Sequence, residues 1–582
     1  MPQSPNAKHH TPNSVFRLAL AQINPTVGAL DSNTAKIIEY VERARELGAQ
    51  MVAFPELAIP GYPPEDLLFK PQFIQANIDR MHRVVEASKG ITIVVGFADD
   101  DGHIRNSAAI AHDGKLLGVY HKVFLPNYGV FDEERYFRAG EECPVFVLNG
   151  TPVGINICED IWRAIGPTTV QQSIGARLVV NISASPFHAG KRLEREKMLA
   201  ERAVDHGLFV AYLNTVGGQD ELVFDGASVF IDPFGNVVAR GSQFAEELVV
   251  ADLDLRAVPE PHTPIQSSIA GIGTPSRIEV PTTSPELQRP LKAKEPTVYE
   301  GAAEVYAALV TGTHDYVMKS GFSKVLVAIS GGIDSSLVAA VAVDALGPDN
   351  VVGIWMPSRY SSEGSMLDAT TLADNFDFEL RTISIEEPFS TNLDILKPHF
   401  EGTKPGLAEE NLQSRIRGVL IMALSNKFGW MVLTTGNKSE MAVGYATIYG
   451  DMAGGYGVIK DVPKTLVFEL SRYRNTITDI APIPRSIIEK PPSAELRPDQ
   501  KDEDSLPPYE ILDPILKAYV EDDRSFAEIV AKGYDESVVK QVIALVDRSE
   551  YKRRQAPPGI KITARNFDRD RRMPIVNRYR PY

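Results

Sequence analysis

A glycine turn between a buried strand and an apolar helix sets the strongest constraint on how this chain can fold. The apolar, β-branched run at residues 324–329 predicts a buried parallel strand. Ser330, Gly331 and Gly332 interrupt it, and an apolar run from Ser335 onward predicts a helix with hydroxyl residues at its start. A strand, a glycine turn and a helix in this order aim free backbone N–H groups at an anion. We therefore predict a phosphate-binding loop, the alternative being a tight turn with incidental serines.

An aspartate in this loop points to a divalent cation. The common P-loop ends in Gly-Lys-Ser/Thr, which is missing here, and Asp334 stands in the loop instead. Because a carboxylate beside phosphates repels them unless a cation lies between, we expect Mg²⁺, which takes carboxylate and phosphate oxygens together. Glu440, in a polar turn after the strand predicted at 431–434, is the second carboxylate that we expect to bind it.

Composition limits the classes of protein that remain. A chain of 582 residues suggests two to four domains, and a net charge of −16 argues against a nucleic-acid or anionic-membrane partner. The two cysteines, Cys143 and Cys158, build no disulfide framework, so we expect a reducing, cytoplasmic location. We also expect no transmembrane span, because no run of about 18 apolar residues occurs.

The second half alternates between strand and helix patterns. Such alternation predicts a doubly wound parallel sheet with helices on both faces and ligands beyond the carboxyl ends of its strands. The strands are expected at 351–356, 379–383 and 431–434, and the helices at 298–319, 366–376 and 412–427.

The first half also has an α/β pattern, and three of its predicted strands end in reactive side chains. Glu56, Lys122 and Cys158 each follow an apolar strand. Taken singly, each has an ordinary explanation, as a solvated surface charge or a core thiol. Taken together, they could form a nucleophilic site, because a reactive thiolate needs a nearby cation and a base. Lys122 would supply the charge and Glu56 would take the thiol proton.

With their flanking residues, these three segments resemble the nitrilase, or carbon–nitrogen hydrolase, superfamily over residues 15–280. The resemblance implies an αββα sandwich, a Glu-Lys-Cys triad and thioester chemistry at amides. It also implies a further glutamate after the lysine, for which Glu133 and Glu134 both remain candidates. In the glutaminase members, matching positions hold glutamine; here these are Tyr128, Ser185 and Lys191.

The loop at 330–335 resembles that of the ATP pyrophosphatases, and segments 411–417, 434–440, 492–500 and 556–563 resemble the NAD synthetases among them. The resemblance implies two sets of binding residues. Those expected to hold ATP are Ala328, Ile329, Ser330, Gly331, Gly332, Ile333, Asp334, Ser335 and Thr435, and those expected to contact deamido-NAD⁺ are Asn411, Glu440 and Lys552.

A nitrilase-type glutaminase joined to such a domain resembles the glutamine-dependent NAD synthetases over nearly the whole chain. The implied activity uses glutamine, ATP and deamido-NAD⁺, with Mg²⁺, in a homo-oligomer. Three alternatives stay open: another ATP pyrophosphatase amidotransferase, an amidase whose second half senses nucleotide, and a scaffold with a core Cys158 that uses free ammonia. We predict a disordered tail at 1–14, a glutaminase domain at 15–284 with a linker from about 258, and a synthetase domain at 285–582 with a basic tail.

Overall fold

The computed structural model describes residues 15–258, 272–280, 291, 294–498 and 500–582. The chain forms two compact units: Met1–Pro186 with Gly190–Gln219 and Phe224–Val298, and Tyr299–Tyr582 with Phe187–Ala189 and Asp220–Val223. The predicted N-terminal tail, most of the predicted linker and the predicted boundary at 284/285 lie outside the described residues.

The first unit is rich in strands. Its elements are β1 (Val15–Gln22), α1 (Leu30–Glu46), β2 (Met51–Ala53), α2 (Pro71–Glu86), β3 (Thr92–Asp100), β4 (Ile104–His112), β5 (Lys115–His121), β6 (Glu142–Leu148), β7 (Thr151–Ile157), α3 (Pro167–Ser173), β8 (Leu178–Ser183), α4 (Lys191–His206), β9 (Phe209–Asn214), β10 (Val216–Gln219), β11 (Leu222–Asp225), β12 (Val229–Ile231), β13 (Val237–Arg240), β14 (Glu247–Asp254) and β15 (Thr274–Val280).

Among the described residues, two mixed sheets dominate this unit. One has the strand order β14-β1-β2-β3-β4-β5, and the other has the order β13-β12-β9-β8-β7-β6-β15. β1, β2 and β3 pair in parallel, as do β7, β8 and β9, while outer neighbours such as β4 and β5 pair antiparallel. The parallel centre of each sheet places the carboxyl ends of its strands side by side.

Both faces of each sheet are covered. Leu18 and Leu20 of β1 point into a core that also contains Ile155 of β7 and Val180 of β8, so the two sheets pack face to face. Ala19, between those leucines, belongs instead to a second core shared with α1 and α2, and α4 packs on the outer face of the other sheet. This alternation, which follows the two-residue period of a strand, gives four layers. The predicted αββα sandwich is confirmed.

Local boundaries differ from the sequence prediction at the first helix. The helical spacing of residues 33–47, with Asp31 and Ser32 as a start signal, predicts a helix from Asn33, but α1 begins at Leu30, after Ala29. Asp31 therefore lies in the first helical turn, where a carboxylate still interacts favourably with the free N–H groups. α2, which begins at Pro71, was not predicted.

The second unit is mostly helical. Its elements are α5 (Ala302–Lys319), β16 (Val325–Ile329), α6 (Ile333–Leu346), β17 (Val351–Trp355), α7 (Glu363–Phe376), β18 (Glu379–Thr382), α8 (Glu386–Leu396), α9 (Leu407–Phe428), β19 (Met431–Thr434), α10 (Lys438–Val443), β20 (Tyr456–Gly457), α11 (Lys464–Ile477), α12 (Arg485–Glu489), α13 (Tyr509–Leu516), α14 (Phe526–Ala531), α15 (Glu536–Arg548) and α16 (Glu550–Arg553).

The sheet of this unit is wholly parallel among the described residues, with the order β18-β17-β16-β19-β20. Leu326 and Ile354 face a core formed with α8 and α9, while α5, α6 and α11 pack together on the other side. The predicted doubly wound sheet is confirmed. Its strand order reverses between β16 and β19, and a crevice at such a switch point is where ligands bind.

A helical cluster completes the second unit. α13, α14 and α15 share a core that includes Leu512, Ile529 and Val542, and the sequence patterns did not predict these helices. None of the described helices is both long and apolar enough to cross a bilayer.

Candidate active sites

Three strand ends of the first unit carry its predicted triad. Glu56 lies shortly after β2, Lys122 follows β5, and Cys158 follows β7. β2 and β5 belong to one sheet and β7 to the other, so the face-to-face packing of the sheets supplies the three groups from both sides. All three side chains are buried, with exposed fractions of 1% for Glu56, 0% for Lys122 and 4% for Cys158.

The ammonium of Lys122 lies between two carboxylates. Its Nζ donates to Oε1 of Glu56 at 2.7 Å and to Oε1 of Glu133 at 2.8 Å. Glu133 also accepts a hydrogen bond from the hydroxyl of Tyr62 at 3.2 Å. Glu134 is exposed. Of the two glutamates that the sequence left open, the geometry therefore brings Glu133 into the triad.

Two further groups fix the carboxylate of Glu56. Nδ2 of Asn106, on β4, donates to its Oε1 at 2.7 Å, and the backbone N–H of Ala184 donates to its Oε2 at 2.9 Å. With Lys122, these donors hold both oxygens in place. These three donors therefore fix the orientation of the carboxylate.

Burial and charge set the protonation of this site. Burial, followed by the charge of Glu56, raises the pKa of the Cys158 thiol well above its ordinary value, and Lys122 opposes that rise. Burial lowers the pKa of Lys122, but Glu133 and Glu56 outweigh it and raise that pKa well above its ordinary value. The environment therefore favours the thiol form of Cys158 and the charged form of Lys122 beside it.

The backbone at Cys158 is strained. Its φ is +43°, in the left-handed region that a residue with a side chain seldom adopts. Asn181 donates from Nδ2 to the Cys158 carbonyl at 3.4 Å, and the short 3₁₀ turn Cys158–Ile161 begins here. Backbone strain of this kind often occurs at functional sites.

The predicted glutamine-binding residues have different surroundings. Tyr128 is half exposed and donates from its hydroxyl to Oε2 of Glu159 at 2.8 Å. Nζ of Lys191 lies 4.3 Å from the ring centre of Trp162, and burial lowers its pKa. Ser185 is buried, and its N–H donates to Asn214 at 2.8 Å. Tyr128 and Lys191 are both close enough to interact electrostatically with Cys158.

A cavity of about 260 Å³ lies at the switch point of the second unit's sheet. Trp355 and Met356 contribute to its walls, as does the segment 490–496. The predicted residues that it gathers are Ala328, Ile329, Ser330, Gly332, Ile333, Asp334, Ser335, Thr435 and Glu440.

Serine hydroxyls of the glycine turn at the cavity hydrogen-bond its backbone N–H groups. The hydroxyl of Ser335 accepts from the N–H of Ser330 at 3.2 Å, and the hydroxyl of Ser330 accepts from the N–H of Gly332 at 3.2 Å. Gly331, although it does not line the cavity, has a φ of +74°, and a Cβ there would lie 2.4 Å from the carbonyl oxygen of Ser365. Only glycine fits this position.

The two predicted magnesium ligands converge, and a lysine lies between them. Nζ of Lys464 pairs with Oδ2 of Asp334 and lies 3.3 Å from Oε1 of Glu440. Asp502 adds a nearby carboxylate whose buried Oδ1 has no hydrogen-bond partner among the described residues. Burial is the first cause that raises the pKa of Glu440, to about 8.

This donor set fits Mg²⁺, although the described residues contain no group of three His, Cys, Asp or Glu arranged to hold a metal unaided. Mg²⁺ in nucleotide sites typically takes one or two carboxylates together with phosphate oxygens and water. Asp334 and Glu440 supply such a pair.

Two of the predicted deamido-NAD⁺ residues lie outside the cavity lining. Nζ of Lys552 donates to the carbonyls of Gly444 and Ala446 at 2.7 and 2.8 Å, and Oδ1 of Asn411 accepts from the hydroxyl of Thr447 at 2.8 Å. Both therefore hold the loop after α10. The structure brings them to one loop beside Glu440 and not into the cavity itself.

Comparison with known proteins identifies the family. The carbon–nitrogen hydrolase family model matches residues 17–260, and the NAD synthase model matches residues 305–556. A glutamine-dependent NAD(+) synthetase from Thermotoga maritima is 46% identical, over 97% of this chain and 99% of the relative. This chain belongs to the glutamine-dependent NAD(+) synthetase family. A second member, from Acinetobacter baylyi, is 44% identical over 97% of this chain and 99% of its own length.

Solved structures agree with this membership. A glutamine-dependent NAD⁺ synthetase from Acinetobacter baumannii, in complex with ADP, is 41% identical, with a TM-score of 0.73 over 97% of this chain and 99% of that one. One from Cytophaga hutchinsonii is only 21% identical but has a TM-score of 0.78 over 97% of this chain and 98% of that one, which shows that the fold is shared.

Sequence reasoning missed several contacts in this member of the NAD(+) synthetase family. Lys464 pairs with both predicted magnesium ligands, and Asn106 donates to Glu56. No local motif marks Asn106 or Lys464, because each lies far from its partner in the sequence. The sequence did contain a signal for Asp160, because this residue lies two positions after the predicted nucleophile. In the structure its side chain is completely buried.

Proposed function

We propose that this chain makes NAD⁺ from deamido-NAD⁺, with ATP as the energy source and glutamine as the nitrogen source. The observation that carries the proposal is the pairing, in one chain, of two sites of different chemistry. Cys158 lies with a lysine held between two carboxylates in one unit, and a glycine-turn cavity lies at the switch point of the other. A family member needs both.

In the first unit, Cys158 attacks the side-chain amide carbon of glutamine while Glu56 takes the thiol proton. Lys122 stabilises the oxyanion that develops, and Glu133 keeps the lysine charged and in place. Tyr128, Ser185 and Lys191 hold the substrate. Ammonia leaves with a proton delivered by Glu56, and water, activated by the same carboxylate, hydrolyses the glutamyl thioester to glutamate and the free thiol.

In the second unit, the turn from Ala328 to Ser335 and Thr435 hold ATP so that its α-phosphate faces the nicotinate carboxylate. The carboxylate attacks, pyrophosphate leaves, and ammonia then displaces AMP to give the amide. Asn411, Glu440 and Lys552 position deamido-NAD⁺. Mg²⁺, held by Asp334 and Glu440, would neutralise phosphate charge, and Lys464 would contribute a second positive charge beside it.

The proposal extends to the setting of the enzyme. Its partners are the small molecules glutamine, ATP and deamido-NAD⁺, with no nucleic acid and no membrane, and it works in the cytoplasm as a homo-oligomer. Light scattering on the purified chain tests the last point.

Product analysis with glutamine labelled at the amide nitrogen tests the function directly. The full chain, with ATP, Mg²⁺ and deamido-NAD⁺, should give labelled NAD⁺ and equal amounts of AMP and pyrophosphate. Glutamate without pyrophosphate would support an amidase whose second half senses nucleotide. Synthesis from ammonium but not from glutamine would make Cys158 a core thiol.

A further inference from the structure

A buried carboxylate beside the nucleophile has no part in the reaction described above. Asp160 has an exposed fraction of 0%, and no cationic side chain donates a hydrogen bond to it among the described residues. Burial is the main cause that raises its pKa, to about 6. Burial of an ion without a salt-bridge partner destabilises the fold, and hydrogen bonds to its charge offset that cost.

Within the described part of the chain, Asp160 accepts four hydrogen bonds, all from the two strand ends that carry Cys158 and Lys122. Oδ1 accepts from the N–H groups of Val123 at 3.1 Å and Phe124 at 2.8 Å. Oδ2 accepts from the N–H of Ile157 at 3.1 Å and from the hydroxyl of Tyr120 at 2.7 Å. Val123 directly follows Lys122, and Ile157 directly precedes Cys158.

This arrangement joins the two sheets at the reacting groups. Tyr120 lies on β5 of the six-stranded sheet, whereas Ile157 ends β7 of the seven-stranded one. The side chain of Asp160 thus connects the segment that carries Lys122 with the segment that carries Cys158. It also closes the short turn that holds Cys158 at its left-handed φ.

We propose that Asp160 is a positioning residue for glutamine hydrolysis, which fixes the distance and angle between the Cys158 thiol and the Lys122 ammonium. It touches neither glutamine nor the reacting atoms. The inference rests on the proposed role of Cys158 as nucleophile.

The chemistry of the acceptor explains why an aspartate is needed. Four donors converge on two oxygens, and a carboxylate offers lone pairs to all of them. An asparagine has one oxygen, so its NH₂ would face either Val123 and Phe124 or Ile157. A backbone N–H cannot rotate away from this NH₂ group. The chain segment that carries the N–H would therefore have to shift. A displacement of about 1 Å between reacting groups costs on the order of 10²-fold in rate.

The test compares Asp160→Asn with the wild-type chain in three assays at a temperature where both are folded. We expect the glutaminase kcat to fall about 10²-fold, with the KM for glutamine changed less than about threefold because the residues proposed to hold glutamine remain in place. Alkylation of Cys158 by iodoacetamide should slow as well. Ammonia-dependent NAD⁺ synthesis should stay near the wild-type rate, since its residues lie in the other unit.

A milder variant keeps the test decisive if Asp160→Asn does not fold. Tyr120→Phe removes one donor and leaves three, so a smaller loss in glutaminase kcat, about tenfold, is expected at unchanged KM. Tyr40→Phe makes the same chemical change in the core under α1 and should leave kcat unchanged.

Wild-type kcat and alkylation rate in both Asp160→Asn and Tyr120→Phe would overturn the proposal. The proposal would also be overturned if ammonia-dependent synthesis fell as much as glutaminase activity in these variants. That result would indicate a general defect in folding. If Cys158→Ala kept glutaminase activity, the proposed function itself would fail, which is a separate outcome.

Discussion

At the scale of single residues, the site of the first unit depends on which carboxylate reaches a buried lysine. Glu133 and Glu134 are adjacent in sequence and chemically identical, yet only the first contacts Lys122. A buried ammonium without a carboxylate partner is strongly unfavourable. Removal of one of the two carboxylates beside Lys122 therefore changes both the charge around the ammonium and its position.

Glu133→Gln should therefore lower the glutaminase kcat by about 10²-fold or more, the scale of losing one electrostatic contributor. Glu134→Gln is the matched control, and because that side chain is exposed, its rate should stay within about twofold of wild type. Ammonia-dependent synthesis by the same preparations reports on the second unit and should be normal in both. Equal rates for the two variants would contradict the role of Glu133.

Asp334 is the corresponding residue in the second unit. Asp334→Asn keeps the shape but removes the charge that pairs with Lys464 and is proposed to hold Mg²⁺. Synthesis should fall by at least about 10²-fold with either nitrogen source, while glutaminase activity persists. Asp349→Asn removes an exposed carboxylate just beyond α6 and should change neither activity. Near-normal synthesis by Asp334→Asn at ordinary Mg²⁺ would rule out the metal assignment.

At the scale of elements, one turn illustrates how backbone conformation limits the sequence. The chain leaves β16 and enters α6 through Gly331, whose φ is positive and whose Cα faces the carbonyl of Ser365 in α7. A side chain at this position would be unfavourable for two reasons, the positive φ and the close contact with the carbonyl oxygen.

Gly331→Ala should abolish most ATP-dependent synthesis, because either the turn or α7 has to move to relieve a contact of 2.4 Å. Gly347→Ala, at the end of the same helix, has a similar φ of +83° but no neighbouring atom within 4 Å. It should cost about 1 kcal/mol in the free energy of unfolding and leave synthesis intact. Thermal unfolding and pyrophosphate release are measured on both variants. The comparison separates the effect of backbone strain, which both variants have, from the effect of the steric contact, which only Gly331→Ala has.

At the scale of the whole molecule, the two units carry separate sites with no residue in common. The triad, Asp160 and the predicted glutamine-binding residues belong to the first unit, and the glycine turn, Glu440 and Lys464 belong to the second. A change confined to one site should leave the chemistry of the other unaffected.

Cys158→Ala should accordingly abolish NAD⁺ synthesis from glutamine while synthesis from ammonium stays within about twofold of wild type. The physical reason is that the thiol, in its proposed role, releases ammonia from glutamine and takes no part in the adenylylation of deamido-NAD⁺. Parallel assays with saturating glutamine and saturating ammonium, on one preparation, measure both. A matching loss with ammonium would show that Cys158 is structural.

The sequence by itself determined the features that depend on neighbouring residues. The alternation of strand and helix patterns in the second half predicted the doubly wound sheet, whereas the αββα sandwich of the first half was implied by the resemblance to the nitrilase superfamily. The confirmed αββα sandwich and doubly wound sheet needed no knowledge of long-range contacts.

Only the tertiary structure decided which distant side chains meet. Glu56 contacts Asn106, Lys122 and Ala184, which come from separate strands and loops, and Lys464 reaches Asp334 across 130 positions of sequence. The packing of sheets and helices determines such contacts. A local sequence pattern predicts that a side chain is buried but does not predict its partner. For this reason the sequence left Glu133 and Glu134 equivalent and gave Asp160 no role, whereas packing places Glu133 on Lys122 and Asp160 between the strand ends of the triad.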